Sequence, residues 1–232
     1  MYSDLMTPWR RTAAVVVVLC LMVPAALSAG GGRETSSPAV SKGTAEITAR
    51  FEYVAGAVTM DGQDAAIGDS VGRDSVVQTG PDGTADIVFG TGNALRIEEN
   101  TRLSLDLVDP SVGLDIRNGA IAAVFNGLES VGTGPDDTFR VQTPSTIAGV
   151  RGTAFYIKIE DADNTYVCTC HGILEFAESG LVVRAAKHAA TRFTRSNGDV
   201  SATPASEEYH DTEGLNAVAD VAGVTIAWGE EP

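Results

Sequence analysis

Residues 139–176 decide the fold, and they read FRVQTPSTIAGVRGTAFYIKIEDADNTYVCTCHGILEF. The run Thr153–Ile159 is rich in β-branched and aromatic residues, and so is the run Thr165–Cys170. Between them lie the turn-forming residues Asp161–Asn164. Two such runs around a short polar turn predict an antiparallel β-hairpin.

Short strand-like runs also fill the sequence before this hairpin. In the run Thr101–Leu107, leucines alternate with Arg102, Ser104 and Asp106, as in a half-buried strand. Turns such as Gly80–Gly83 separate the runs, and no helical periodicity lies between them. The sequence therefore predicts an all-β domain of many short strands.

The pattern changes after the last strand-like run, Leu181–Arg184. Residues beyond Ala186 read as an irregular tail with one short helix. Asp211 or Thr212 is placed to cap this helix, which we expect to end near Ala222. Its apolar stripe is formed by Leu215, Val218 and Val221.

The N-terminus has the pattern of an export signal. Arg10 and Arg11 precede an apolar run, and the small residues Ala25–Ala29 follow it. Cleavage after Ser28 or Ala29 is the expected outcome, and an uncleaved membrane anchor is the alternative. The predicted division of the chain is a signal peptide or anchor (1–29), a flexible linker (30–44), a β domain (45–184) and an extension packed on it (185–232). The protein is expected in the periplasm or outside the cell.

The net charge restricts the partners. The chain carries a formal charge of −15. The first 29 residues contain Asp4, Arg10 and Arg11 and so carry +1, which leaves −16 on the exported part. A surface this acidic repels nucleic acids and anionic lipid headgroups. We expect an envelope protein or ligand as partner, no nucleic acid, and membrane contact only through a retained N-terminal segment.

Several segments together resemble one known family. They are Asp69–Gly80, Gly83–Ile97, Leu114–Ile121 and Phe139–Phe155. The last segment is the most specific, because it matches the "V-x-T-P … A-x-V-R-G-T-x-F" core of FecR-family domains. The resemblance implies a FecR-like β-solenoid or sandwich of short strands, with a short C-terminal tail that carries one helix. It also implies binding and signalling contacts outside the cytoplasm.

The regulatory role of the family's namesake needs a cytoplasmic domain before the membrane segment. Only Met1–Pro8 precede that segment here. We therefore expect a single-domain form without the cytoplasmic anti-sigma regulatory part.

Two cysteines and two histidines form the chemical signature of the sequence. On a strand, Cys168 and Cys170 point to the same face, because side chains alternate. Together with His188 and His210 they match the ligand count of a closed tetrahedral zinc site, and iron or copper also suits these ligands. His171 is an alternative ligand if Gly172 breaks the strand. Some FecR-like proteins carry a similar C-x-C-x-G … H … H-(T/S)-D pattern, which implies a site without naming its ligand.

Other interpretations of the cysteines remain open. An oxidising compartment favours a redox pair or a disulfide, although a bridge between Cys168 and Cys170 would be strained. Covalent haem is disfavoured because the c-type signature has two residues between its cysteines, whereas only Thr169 separates Cys168 from Cys170. Both cysteines also suit a purely structural protein-interaction domain with a buried thiol pair.

Catalysis is not expected. A thiol enzyme would need an electropositive surrounding for Cys170, and only Arg184 and Lys187 lie nearby in the sequence. No nucleophile elbow, P-loop or dinucleotide motif is present. The expected function is an exported FecR-like binding or signalling module of the cell envelope with a Cys/His metal or redox site.

Overall fold

The computed structural model describes residues 49–106, 113–128, 139–230 and 232. The predicted export signal and linker lie outside the described residues, as do residues 45–48 at the start of the predicted β domain. The described residues belong to one compact unit, Gly43–Pro232. Among them, no helix has the length and hydrophobicity needed to cross a membrane.

The described part of the chain is built from short strands and one C-terminal helix. The strands are β1 (Ala49–Ala55), β2 (Val58–Met60), β3 (Gln63–Asp64), β4 (Ser70–Val71), β5 (Ser75–Thr79), β6 (Thr84–Phe89), β7 (Asn93–Ile97), β8 (Arg102–Asp106), β9 (Gly113–Phe125), β10 (Phe139–Gln142), β11 (Ile147–Ile159), β12 (Asn164–Phe176), β13 (Leu181–Ala185), β14 (Ala189–Ser196) and β15 (Asp199–Ala205). The helix is α1 (Thr212–Ala222). The predicted all-β fold class is confirmed.

The strands form one mixed sheet, in which ten strands follow the order β15-β14-β12-β11-β10-β9-β7-β6-β1-β4. Of the others, β13 pairs with β12, and β3, β2, β5 and β8 pair in that order, with β8 joined to β9. The predicted hairpin is confirmed as β11 and β12, which pair antiparallel from Ile159 opposite Thr165. β9 pairs with β10 in parallel and with β11 antiparallel. The strands β14 and β15 were not predicted, and they extend the sheet beyond β12.

Two hydrophobic cores lie on opposite faces of the central strands. In β9, Ile121, Ala123 and Phe125 belong to the larger core, and the alternate residues Ala122 and Val124 belong to the smaller one. This division follows from the two-residue period of a strand. The larger core is centred on aromatic rings, with Phe125 5.1 Å from both Phe89 and Phe139, and 5.2 Å from Phe155, between ring centroids.

Helix α1 covers the smaller core. The Asp211 side chain accepts a hydrogen bond from Gly214 N at its start, and Gly223 ends it with a φ of 71°. Its buried residues are Leu215, Val218 and Ala219. The predicted helix is therefore confirmed, and it rests on the face of the sheet that carries both cysteines.

Candidate metal centre

The backbone of β12 places both cysteines on the face under α1. Cys168 lies opposite Tyr156 of β11. Farther along β12 the register shifts by one residue. Phe155 pairs with Thr169, but the neighbouring Ala154 pairs with His171, so Cys170 has no partner in β11. Cys170 is the extra residue of this irregularity, as in a β-bulge. Both sulfur-bearing side chains remain in the smaller core, and both residues are 0% exposed.

Gly172 makes the bulge fit against β11. Its φ is 114°, which side chains rarely allow. A Cβ atom there would lie 2.8 Å from Gly152 O and 2.9 Å from Thr153 Cα. Close approach of the two backbones thus requires glycine directly after His171.

The two histidines approach from different parts of the chain. His188 lies between β13 and β14 with a φ of 34°, and its backbone N donates a hydrogen bond to Cys170 O at 2.9 Å. His210 lies immediately before the helix cap Asp211. Tyr209, with a φ of 66°, turns the chain there. The site therefore combines β12, the β13–β14 turn and the start of the helical tail.

The four side chains converge on one point. Cys168 Sγ lies 3.7 Å from His188 Nδ1, and Cys170 Sγ lies 3.3 Å from His210 Nε2. One ligand atom from each of the four residues lies within 4.8 Å of the others. Zinc bonds of about 2.0–2.3 Å in a tetrahedron put neighbouring ligand atoms roughly 3.3–3.8 Å apart. This group could hold a metal ion after small side-chain adjustments.

Hydrogen bonds outside the group orient both imidazole rings. His210 Nδ1 donates to Glu208 O at 2.8 Å, which leaves its Nε2 free to act as a ligand. In His188 the arrangement is reversed. His188 Nε2 lies 2.9 Å from Thr212 Oγ1 and 3.6 Å from a carboxylate oxygen of Glu207, so Nδ1 faces Cys168. Such partners are typical of metal-binding histidines.

Aromatic rings hold the histidines from their other sides. Tyr156 stacks on His210 with centroids 4.5 Å apart, and Trp228 stacks on His188 at 5.0 Å. The Tyr156 hydroxyl donates to Glu98 Oε2 at 2.7 Å. Neither aromatic residue belongs to a recognisable ligand motif, and sequence reasoning missed both.

The ionisation of the thiols is unequal. The hydrogen bond with Cys170 lowers the pKa of Cys168 to about 5, with a further contribution from His210. Burial raises the pKa of Cys170 above its ordinary value. Burial opposes a charge on His210, but its interaction with Cys168 raises the pKa of the imidazole overall. Without a metal ion, Cys168 is therefore the more acidic of the two thiols.

His171, the alternative ligand predicted from the sequence, is not part of this group of four. Its ring lies 6.3 Å from Trp228 between centroids. Its Nε2 atom is buried and has no hydrogen-bond partner among the described residues. Of the five residues singled out in the sequence, the structure brings Cys168, Cys170, His188 and His210 together.

Part of the chain is similar to a known protein family. Residues 75–175 match the family described as FecR protein. No curated protein matches the chain. Two crystal structures of candidate anti-sigma factors from Parabacteroides distasonis ATCC 8503 share 13% and 17% sequence identity with it, at TM-scores of 0.44 and 0.33. The matches cover 56% and 63% of this chain, and they span 59% and 60% of the two solved chains.

The matched range ends just after the bulge of β12. It includes Cys168 and Cys170, whereas His188 and His210 lie beyond it. The family segment thus supplies the cysteines, and the later sequence supplies the histidines. Over residues 75–175, the chain is similar to the FecR protein family.

Proposed function

We propose that this protein is an exported binding and signalling module of the cell envelope that holds one zinc ion. Cys168, Cys170, His188 and His210 are the ligands in this proposal. The convergence of their four ligand atoms within 4.8 Å supports it more than any other observation. The FecR domain supports the signalling part, because members of this family make regulatory protein contacts.

The ligand set favours zinc over iron and copper. Two sulfur and two nitrogen ligands in a tetrahedral arrangement are typical of zinc. Four protein ligands leave no open position for a substrate, so the ion is structural. A two-iron cluster with mixed ligands holds its cysteines on one iron and its histidines on the other. Here each cysteine instead lies beside a histidine.

Metal analysis of the purified full chain tests the zinc site. We expect about one zinc per chain, as a closed four-ligand site requires. Cys168→Ser, Cys170→Ser and His210→Ala should each lower the zinc content at least tenfold. His171→Gln is the matched control and should keep the metal, because His171 lies outside the group. If the protein contains no metal after growth under reducing conditions with ample zinc, the site is ruled out. If all three variants keep their zinc, the proposed ligand set is ruled out.

We further propose that the protein acts by binding rather than by catalysis. Both cysteines are 0% exposed, whereas a catalytic thiol must meet its substrate. A thiol-alkylating reagent should therefore modify Cys168 and Cys170 only after the metal is chelated. Rapid, stoichiometric alkylation of the untreated protein would instead support the thiol-enzyme alternative.

The envelope location rests on the N-terminal pattern of Arg10, Arg11 and the apolar run after them. Secretion of the full chain in a bacterial host should yield a mature protein that begins at Ala29 or Gly30. Intact-mass measurement checks this. Protein that stays in the cytoplasm and keeps its first 29 residues would contradict this part of the proposal.

A further inference from the structure

The C-terminal tail, residues 206–230, lies against the sheet without joining it. It follows β15 and contains α1 but no strand. Side chains therefore make most of its described contacts with the sheet. The buried apolar residues of the tail are Leu215, Val218, Ala219 and Ile226. Val221, Ala222, Val224 and Trp228 of the tail pack against the same core but are only partly buried.

The face beneath the tail offers little apolar area per residue. Four of its buried residues are alanines: Ala94, Ala120, Ala122 and Ala154. Small side chains let the helix come close to the sheet, but each buries less apolar surface than Leu, Ile or Phe would. Hydrophobic contact alone is thus a weak attachment for this tail.

Both ends of the tail meet at the candidate metal centre. His210 contacts Cys170, although 40 positions separate them in the chain. Thr212, the first residue of α1, contacts His188 at 2.9 Å. Trp228, near the other end of the tail, stacks on His188 at 5.0 Å. The centre is therefore the place where the tail's start, its helix and its end are all connected to β12.

The buried Tyr166 hydroxyl of β12 donates to Ser206 O at 3.2 Å and accepts from Glu208 N at 2.9 Å. Further contacts of the tail lie nearer the surface. Glu208 pairs with Arg192 at 3.2 Å, and the Tyr209 hydroxyl donates to Glu160 at 2.8 Å. Exposed ion pairs of this kind contribute little to stability. The backbone of Gly229 donates to Ala186 O at 3.0 Å. These further contacts orient the tail but lie away from the face that α1 covers.

We propose that the metal ion fastens the C-terminal tail to the sheet, so that loss of the metal releases α1 and uncovers the alanine-rich face beneath it. This inference rests on the proposed metal site. A bound ion joins the sulfurs of β12 to His210 through bonds that no other tail contact replaces. Because the ion binds the docked form more tightly than the released form, metal binding and docking of the tail stabilise each other.

Hydrogen exchange of the full chain, read by mass spectrometry, tests the inference. Zinc content is measured on the same samples before and after chelation. We expect the amides of α1 to exchange at least tenfold faster once zinc is removed. The amides of β5 and β8 should change less than twofold, because the buried apolar residues of these strands belong to the larger core and not to the face under the tail. The His171→Gln variant should behave like the natural protein in both states.

A second variant tests the same coupling from the opposite side. Leu215 is buried in the tail and is not among the four ligands. Because coupling is reciprocal, Leu215→Ala should weaken zinc binding about tenfold, although all ligands remain. Val200→Ala on β15, outside the tail, is the control and should leave zinc affinity unchanged.

The outcomes separate the two proposals. Protein that binds no zinc at all defeats the proposed function, and the inference with it. If zinc is bound and chelation leaves α1 exchange unchanged, the tail is held independently and the inference is wrong, while the metal site stands. Unchanged zinc affinity in Leu215→Ala likewise contradicts the coupling alone.

Discussion

The two histidines present different ring nitrogens to the cysteines. His188 uses Nδ1, and His210 uses Nε2. In each ring the other nitrogen is engaged, by Thr212 in the first case and by the Glu208 carbonyl in the second. Neighbours outside the group of four therefore set which nitrogen faces the cysteines, an arrangement typical of metal-binding histidines.

Thr212→Val tests this orienting role. The substitution removes the hydroxyl that contacts His188 Nε2 and keeps the shape of the side chain. We expect zinc to bind about tenfold more weakly, because outer hydrogen bonds contribute roughly 10- to 100-fold to metal affinity. Competition with a chromophoric chelator measures the change. Thr225→Val, at an exposed position of the same tail, is the control, and an equal loss there would contradict the role of Thr212.

At this scale, the sequence predicted the candidate ligands but not their surroundings. Cys168, Cys170, His188 and His210 stand out by residue type. Tyr156 and Trp228 give no such signal, because stacking partners follow from tertiary packing rather than from spacing. His171 shows the limit of strand periodicity, since the bulge at Cys170 changes which way the following residues point.

At the scale of secondary structure, the irregularity in β12 depends on Gly172. A Cβ atom there meets the backbone of Gly152 and Thr153 at under 3 Å, and β11 cannot move away from the sheet without breaking its pairing with β9. The position therefore controls both the pairing of β11 with β12 and the direction of Cys170.

Gly172→Ala should lower the free energy of unfolding by about 3 kcal/mol, from the strained φ together with the backbone contact. Gly198→Ala is the matched control, since Gly198 also has a positive φ, 93°, but nothing within 4 Å of its Cβ position. Its expected cost is about 1 kcal/mol. Chemical denaturation measures both values, and equal losses would show that the contact with β11 is unimportant.

Elements with strong local signals were predicted, and elements without them were missed. Helix α1 has a cap at Asp211 and an apolar stripe, and both were visible in the sequence. In β14 the polar residues outnumber the apolar ones, and Phe193 is its one fully buried large side chain. β15 contains Pro204, which argues against a strand except at the edge of a sheet. β14 forms because β12 offers it a partner, and β15 forms because it pairs with β14 in turn; sequence patterns show neither pairing.

At the scale of the whole molecule, one charged cluster connects the end of β11, β14 and the tail. Glu160 accepts two hydrogen bonds from Arg192, both 2.7 Å long, and one from Tyr209 at 2.8 Å. The hydrogen bonds from Arg192 lower the pKa of Glu160 below its ordinary value. The cluster thus stabilises the fold while Glu160 is ionised.

The stability of the protein should depend on pH through this residue. A lowered pKa stabilises the folded state above the ordinary glutamate value of about 4.3, and this stabilisation disappears as the pH falls through the folded-state pKa. At pH 7, Glu160→Gln should lower the free energy of unfolding by about 1 kcal/mol, as a paired carboxylate on the surface suggests. The difference from the natural protein should shrink toward pH 3 in urea titrations. A difference that stays constant over this range would exclude Glu160 as its source.

The order of the ligands along the chain has a consequence for biogenesis. Cys170 and His210 meet across 40 positions, so a growing polypeptide has no complete centre until His210 has left the ribosome. A chain threaded through a secretion channel in extended form crosses it with these thiols and imidazoles still apart. For a chain that is exported and binds zinc, as proposed above, loading of the ion would belong to the compartment where folding ends, and the zinc supply of that compartment would determine how much finished protein accumulates.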